Sequence, residues 1–231
     1  MIVEIARAVS RGQAARLGQL VPSTADPIMR EALALIADDV ASERVRGRME
    51  AAISRAMRCS RRQYQMARDG LLAIQRGETP GAVLDLVQAD WPAVRRIARR
   101  IHSLRSGPGT DREIEDALVA RTKALCQRSL AELGCAGVAE VLALAADVVR
   151  QGGVLALVPA MGEAADPFLG RGASLVVAGM EPELLSEHLG FWSESLLHQQ
   201  ERRYGKVLTG ACAIQAGREP GIVARMVAAV F

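Results

Sequence analysis

Aromatic side chains are nearly absent from this sequence: two Trp, two Tyr and three Phe among 231 residues. Stacking of nucleobases relies on aromatic side chains, and sheets favour aromatic and β-branched ones, so the scarcity disfavours both a base-stacking surface and a strand-rich fold. Cysteine is sparse and unpaired in spacing: Cys59, Cys126, Cys135 and Cys212 form no CxxC. Inert thiols in a reducing cytoplasm are the expectation. The three histidines, His102, His188 and His198, include no i, i+4 ligand pair, which argues against a zinc site or a general base. Neither GxGxxG nor GxxxxGK[ST] occurs, so no phosphate loop is expected. The longest run without charge, Gln151–Gly162, has 12 residues, whereas a bilayer-spanning helix needs about 20. No basic segment followed by an apolar stretch opens the chain, so no secretion signal is visible. These absences predict no catalytic residues, no cofactor, no metal, no small-molecule substrate and no membrane insertion.

Half of the residues are apolar, and Ala, Leu and Val dominate, a composition suited to packed helices. The net charge is only +3, but it is unevenly spread. Residues 1–92 hold 13 bases and 11 acids, 93–139 hold 9 and 5, and 140–231 hold 7 and 10. Of the 29 bases, 27 are Arg.

The chain repeats itself. Shifted by 140 positions, residues 1–91 align without a gap on 141–231, with 21 of 91 identical. Ala25-Asp26-Pro27 falls on Ala165-Asp166-Pro167, and Arg62 and Tyr64 fall on Arg202 and Tyr204. Ala73-Ile74-Gln75-x-Gly77-x-x-Pro80-Gly81 falls on Ala213-Ile214-Gln215-x-Gly217-x-x-Pro220-Gly221. Two copies are too few for a solenoid, so the expectation is a pseudo-two-fold pair of tandem duplicated helical domains. Their bounds are 1–92 and 140–231, with connecting helices at 93–139. Offset positions also weaken candidate chemistry: His188 and His198 fall on Arg48 and Arg58, and Asp38-Asp39 falls on Ala178-Gly179.

Each copy reads as four helical stretches in an all-α fold. The first covers Ile2–Leu17 and Val141–Leu157. The second opens at Asp26-Pro27 and Asp166-Pro167, where Asp caps the free N–H groups and Pro suits the first turn. The third is a long stripe from Ser42 to Ile74 and from Pro182 to Ile214, unbroken across Ser60–Tyr64 and Gln200–Tyr204. Gly77 and Gly217 end it, and Pro80 and Pro220 open the fourth. Between the copies, Ala93–Arg105 reads as a basic helix, Ser106–Thr110 as a break, and Asp111–Leu133 as a helix with an acidic first turn.

Two arginine stripes bear on partners: Arg95, Arg96, Arg99, Arg100 and Arg105, and Arg55, Arg58, Arg61, Arg62 and Arg68. Such stripes can track phosphates. Without interleaved aromatics or a recognition-helix pattern, a solvated face or an acidic protein partner is the better reading, with a nucleic-acid binder as the weaker alternative.

Three segments, found in the same order in both copies, resemble the MotA stator family of flagellar motors. They are Val149-Arg150-Gln151-Gly152-Gly153-Val154-Leu155-Ala156-Leu157, then Asp166-Pro167-Phe168-Leu169-x-x-Gly172 through Gly179, then Gly210-x-x-Ala213-Ile214-x-x-Gly217-x-x-Pro220. The resemblance covers the family's cytoplasmic part and omits its membrane helices, which implies a cytoplasmic protein that conducts no ions. It implies a protein partner, the rotor switch protein or the stator. The family's rotor-facing Arg matches Arg150, while Val158 stands at the position of the family's Glu. In the first copy Ser10 and Gly18 occupy these positions, and Arg11 and Arg16 lie close by. Arg150, Arg11 and Arg16 are therefore the candidate protein-binding residues. A generic helical scaffold unrelated to motility is the alternative, and a homo-oligomer is compatible with either.

Overall fold

The computed structural model describes residues 2–11, 24, 26–106 and 110–230, the side chain of Trp91 excepted. The described residues form eleven α-helices and one 3-10 turn, with no strand. In chain order the helices are α1 (Ile2–Ser10), α2 (Pro27–Ala37), α3 (Ser42–Gln75), α4 (Pro80–Leu86), α5 (Trp91–Arg105) and α6 (Asp111–Cys126). There follow α7 (Leu130–Gly152), the 3-10 turn Val154–Ala156, α8 (Leu157–Met161), α9 (Pro167–Val177), α10 (Pro182–Gln215) and α11 (Pro220–Ala228).

Local signals account for most boundaries. The Asp26 carboxylate accepts from the N–H groups of Ile28 and Met29 at 2.9 and 3.1 Å, and Asp166 accepts from Phe168 at 3.0 Å. Each satisfies donors that a first turn leaves free. The helices α3 and α10 are both 34 residues long and run through Ser60–Tyr64 and Gln200–Tyr204 without interruption. They end where Gly77 and Gly217 take φ of 74° and 67°. The N–H groups of Glu78 and Arg218 then close back onto Ala73 and Ala213 at 3.0 Å.

The connecting region departs from its sequence reading. Helix α6 stops at Cys126, not at Leu133, because a new capping box begins α7. Ser129 accepts from the Glu132 N–H, and the Glu132 carboxylate accepts from the Ser129 N–H at 2.8 Å. Gly134, at φ 64°, kinks α7 close to where the earlier helix was expected to end. The stretch expected over Val141–Leu157 is the second half of α7, and it ends at Gly153, φ 76°, before the 3-10 turn. Of the matching stretch Ile2–Leu17, α1 covers Ile2–Ser10, and residues 12–17 lie outside the described residues.

The chain divides into two compact units, Met1–Arg58 with Leu196–Phe231, and Cys59–Ser195. Neither coincides with 1–92, 93–139 or 140–231. The division falls inside α3 and α10, so each long helix contributes its first part to one unit and its second part to the other.

In unit 1 the core joins Ile2 and Ile5 of α1, Ile28, Met29, Leu33 and Ile36 of α2, and Val45 and Met49 of α3 to Val207, Ala211 and Ile214 of α10. The Gln215 amide donates to the carbonyls of Leu35 and Val40 at 3.1 and 2.9 Å. Gly210 lets Ile2 approach closely; a Cβ there would lie 2.7 Å from the Ile2 side chain.

Unit 2 is built on α7, whose residues Val138–Val148 are all buried. Helices α4, α5, α6 and α8 pack against it. Here Gln75 donates to the carbonyl of Met180, and Gly70 makes room for Leu142. Both contacts match those of unit 1 at an offset of 140. Unit 2 also has an aromatic cluster: Tyr64 meets Phe168 edge-on at 5.0 Å, and Phe168 meets Trp192 at 5.4 Å. The Arg171 guanidinium lies 5.3 Å from the Trp192 ring.

Candidate interaction surface

Arg150 sits in the last turn of α7, in unit 2, where eleven consecutive buried residues give way to exposed ones. The Gly153 N–H donates to the Val149 carbonyl at 2.8 Å, and its positive φ turns the chain out of the helix. Leu157, Ala160 and Met161 then anchor α8 to the core. This anchoring leaves Leu155 69% exposed, Val158 53% and Val154 38%. The segment therefore presents one cation and three apolar side chains to solvent within nine residues. Arg150 makes no ion pair among the described residues. Apolar side chains beside an arginine are the composition that protein interfaces favour.

Arg11 follows α1 in unit 1 and is exposed. Arg16 lies outside the described residues. Arg11 and Arg150 belong to different units, so each stands as its own candidate.

The arginines of α5 divide into two sets. Arg105 holds Asp147, which is fully buried, through both carboxylate oxygens. Arg100 and Arg121 share Glu140, which is 7% exposed. A carboxylate removed from water is costly unless it is paired and hydrogen-bonded, and these arginines meet that requirement. Arg95, Arg96 and Arg99 are exposed, have no ion-pair partner among the described residues, and border a shallow cavity of about 530 Å3. In the second stripe, Arg62 donates to the Gln88 carbonyl at 3.1 Å and Arg68 pairs with its neighbour Asp69 at 2.9 Å. Reading each stripe along its own helix missed the buried acids. Glu140 and Asp147 stand 40 and 42 residues from their α5 arginines, a separation that leaves no local pattern.

Burial pushes the Cys126 thiol up to about 12 and raises Cys135 and Cys212 as well, while Cys59 is exposed. High values keep thiols protonated and poorly nucleophilic. His198 lies 3.8 Å from Glu201, and His102 lies 3.4 Å from the Ser106 hydroxyl. Among the described residues no group of three His, Cys, Asp or Glu could hold a metal ion, and no helix is long and apolar enough to cross a membrane. Compared with protein-family models, with curated proteins and with solved structures, the chain matches none.

Proposed function

We propose that this chain is a non-catalytic protein-interaction protein of the cytoplasm, and that it arose by tandem duplication of a MotA-like cytoplasmic unit into a pseudo-two-fold pair. In this reading it binds the rotor switch ring or the stator's cytoplasmic face, bracing or competing for a contact without supplying torque. The observation that carries the reading is the end of α7, where Arg150, without an ion pair among the described residues, stands beside exposed Leu155 and Val158 in the segment that resembles the family. Apolar area provides most of the association free energy there, and the arginine sets register and speeds encounter. The duplication draws support from matched roles at an offset of 140: Asp26 and Asp166 as caps, Gln75 and Gln215 as amide donors, Gly77 and Gly217 as left-handed helix ends. A generic scaffold is the second reading, favoured by Val158, an apolar exposed residue where the family carries Glu.

The test is a titration of a flagellar switch-ring protein against the wild-type chain, Arg150→Glu and Arg150→Glu/Arg11→Glu at two salt concentrations. Exposed ion pairs contribute roughly 0.2–1 kcal/mol each, so the single change should weaken binding several-fold and the double change more. Added salt should weaken the wild type and narrow the gap. Affinity unchanged throughout, or no binding, favours the scaffold.

A further inference from the structure

In unit 2 the start of α7 covers a groove between α3 and the N-terminus of α9. The Leu130 N–H donates to Asp166 Oδ2 at 3.0 Å, and its carbonyl accepts from Gln63 Nε2 at 2.6 Å. Leu130 and Leu133 are 3% and 8% exposed there, and Cys135 lies against Cys59. A peptide segment held by its backbone and by two apolar side chains three positions apart thus fills the groove.

The same positions in unit 1, at an offset of 140, form a groove that is open among the described residues. Gln63 corresponds to Arg203 and Asp166 to Asp26, and these two pair with each other at 2.7 Å. The cavity has a volume of about 790 Å3 and a floor of Ile2, Met29 and Val207. Their unit 2 counterparts, Leu142, Leu169 and Ala67, are all fully buried. The rim differs in charge. Met66 of unit 2 is replaced by Lys206, and Gln63 by Arg203. Arg202 and Lys206 are exposed and have no acidic partner among the described residues.

We propose that this groove of unit 1 docks an acidic peptide segment of another protein, one that presents two apolar side chains a helical turn apart. The occupied groove of unit 2 specifies the form of the occupant. The volume falls in the range of pockets that enclose a drug-sized ligand, roughly 300–1,000 Å3, which is room for two apolar side chains. The additional cations favour carboxylates over a neutral segment, since like charges would be excluded and opposite ones steered in. The proposal does not depend on the motor reading: it requires only that positions 140 apart serve equivalent roles.

The experiment uses the full chain and a fluorescein-labelled synthetic peptide of residues 127–138 carrying Arg128→Glu and Cys135→Ser. Anisotropy should show saturable one-to-one binding with a dissociation constant below about 100 μM. Arg202→Glu/Lys206→Glu should weaken it roughly tenfold or more. Both side chains are exposed, so these changes leave the helix intact, and a circular dichroism spectrum checks this. The peptide with Leu130→Asp and Leu133→Asp should not bind, a result independent of any folding defect in the chain. Arg62→Glu, the matching change in unit 2, should leave binding unaltered. No saturation at millimolar peptide, affinity that survives the double charge reversal, or uptake of decanoate with no uptake of peptide would each overturn the proposal.

Discussion

Asp147 and Arg7 stand 140 residues apart, at positions that the gapless sequence alignment pairs, yet one is a fully buried carboxylate and the other an exposed cation. The difference lies in what surrounds their helices. Around α7, the helices α5 and α6 form a further layer, and the residues Arg100, Arg105 and Arg121 on that layer neutralise Glu140 and Asp147. Among the described residues of unit 1, α1 has no such layer, and Arg7 remains exposed. Similar helices have therefore acquired different polar requirements from their neighbours. Burial of the helix selects an ion pair for Asp147 in unit 2, whereas Arg7 at the matching position of unit 1 stays in solvent.

The largest consequence concerns Arg105. Its replacement by Ala leaves Asp147 buried without a partner and should destabilise unit 2 by about 3 kcal/mol. Arg7→Ala should change unit 1 by less than about 0.5 kcal/mol. Hydrogen exchange resolved by unit measures both, and equal effects would remove the distinction. The caps follow. Asp166→Ala deprives both the Phe168 and the buried Leu130 N–H groups of their acceptor, for a loss of about 2–3 kcal/mol. Asp26→Ala frees its helix end and an Arg203 that is 64% exposed in its side chain, so about 1 kcal/mol is expected in urea denaturation. The smallest effect concerns backbone. Asp39 adopts φ 51° where Gly179 adopts φ 70°, so Asp39→Gly relieves a left-handed side-chain penalty. A gain of about 0.5 kcal/mol is expected in thermal unfolding, and Gly179→Asp should give a loss of similar size.

Acid should act on unit 2 through its capping boxes. Hydrogen bonds from Thr110 and Ser129 hold the Glu113 and Glu132 carboxyls below their ordinary values. A lowered value stabilises the folded state above the unfolded carboxyl's range and is lost as pH falls through the folded one. Protection factors at the first turns of α6 and α7, corrected for the intrinsic pH dependence of amide exchange, should therefore fall on acidification, and Glu132→Gln should remove that response from α7.

Helices were largely legible from the sequence because their signals are local. Asp-Pro starts, left-handed glycines and an apolar stripe each act within a turn or two. The Ser129-x-x-Glu132 box was equally legible and would have placed the start of α7 correctly. Assembly was not legible, because periodicity says which face of α3 is buried and nothing about which copy buries it. Gln75 reaches Met180 and Gln215 reaches Val40, 105 and 175 residues away. For the candidate site, Arg150 was legible only as the residue that the MotA resemblance singles out, and Val158 only as a difference from that pattern. The exposure of Leu155 follows from how α8 is anchored, which depends on contacts that span the fold. The Arg203–Asp26 pair and the groove beside it required the same long-range information.

The central claim is that each compact unit combines residues from both halves of the chain. Co-expression of residues 1–108 and 109–231 as separate polypeptides tests it most directly. The first fragment holds one part of unit 1 and, from unit 2, the second part of α3 with α4 and α5, and the second fragment holds the remainder of each unit. The account predicts one-to-one copurification with the helical spectrum of the intact chain, and poorly folded fragments when each is expressed alone. Two stable monomeric fragments that do not associate would contradict it.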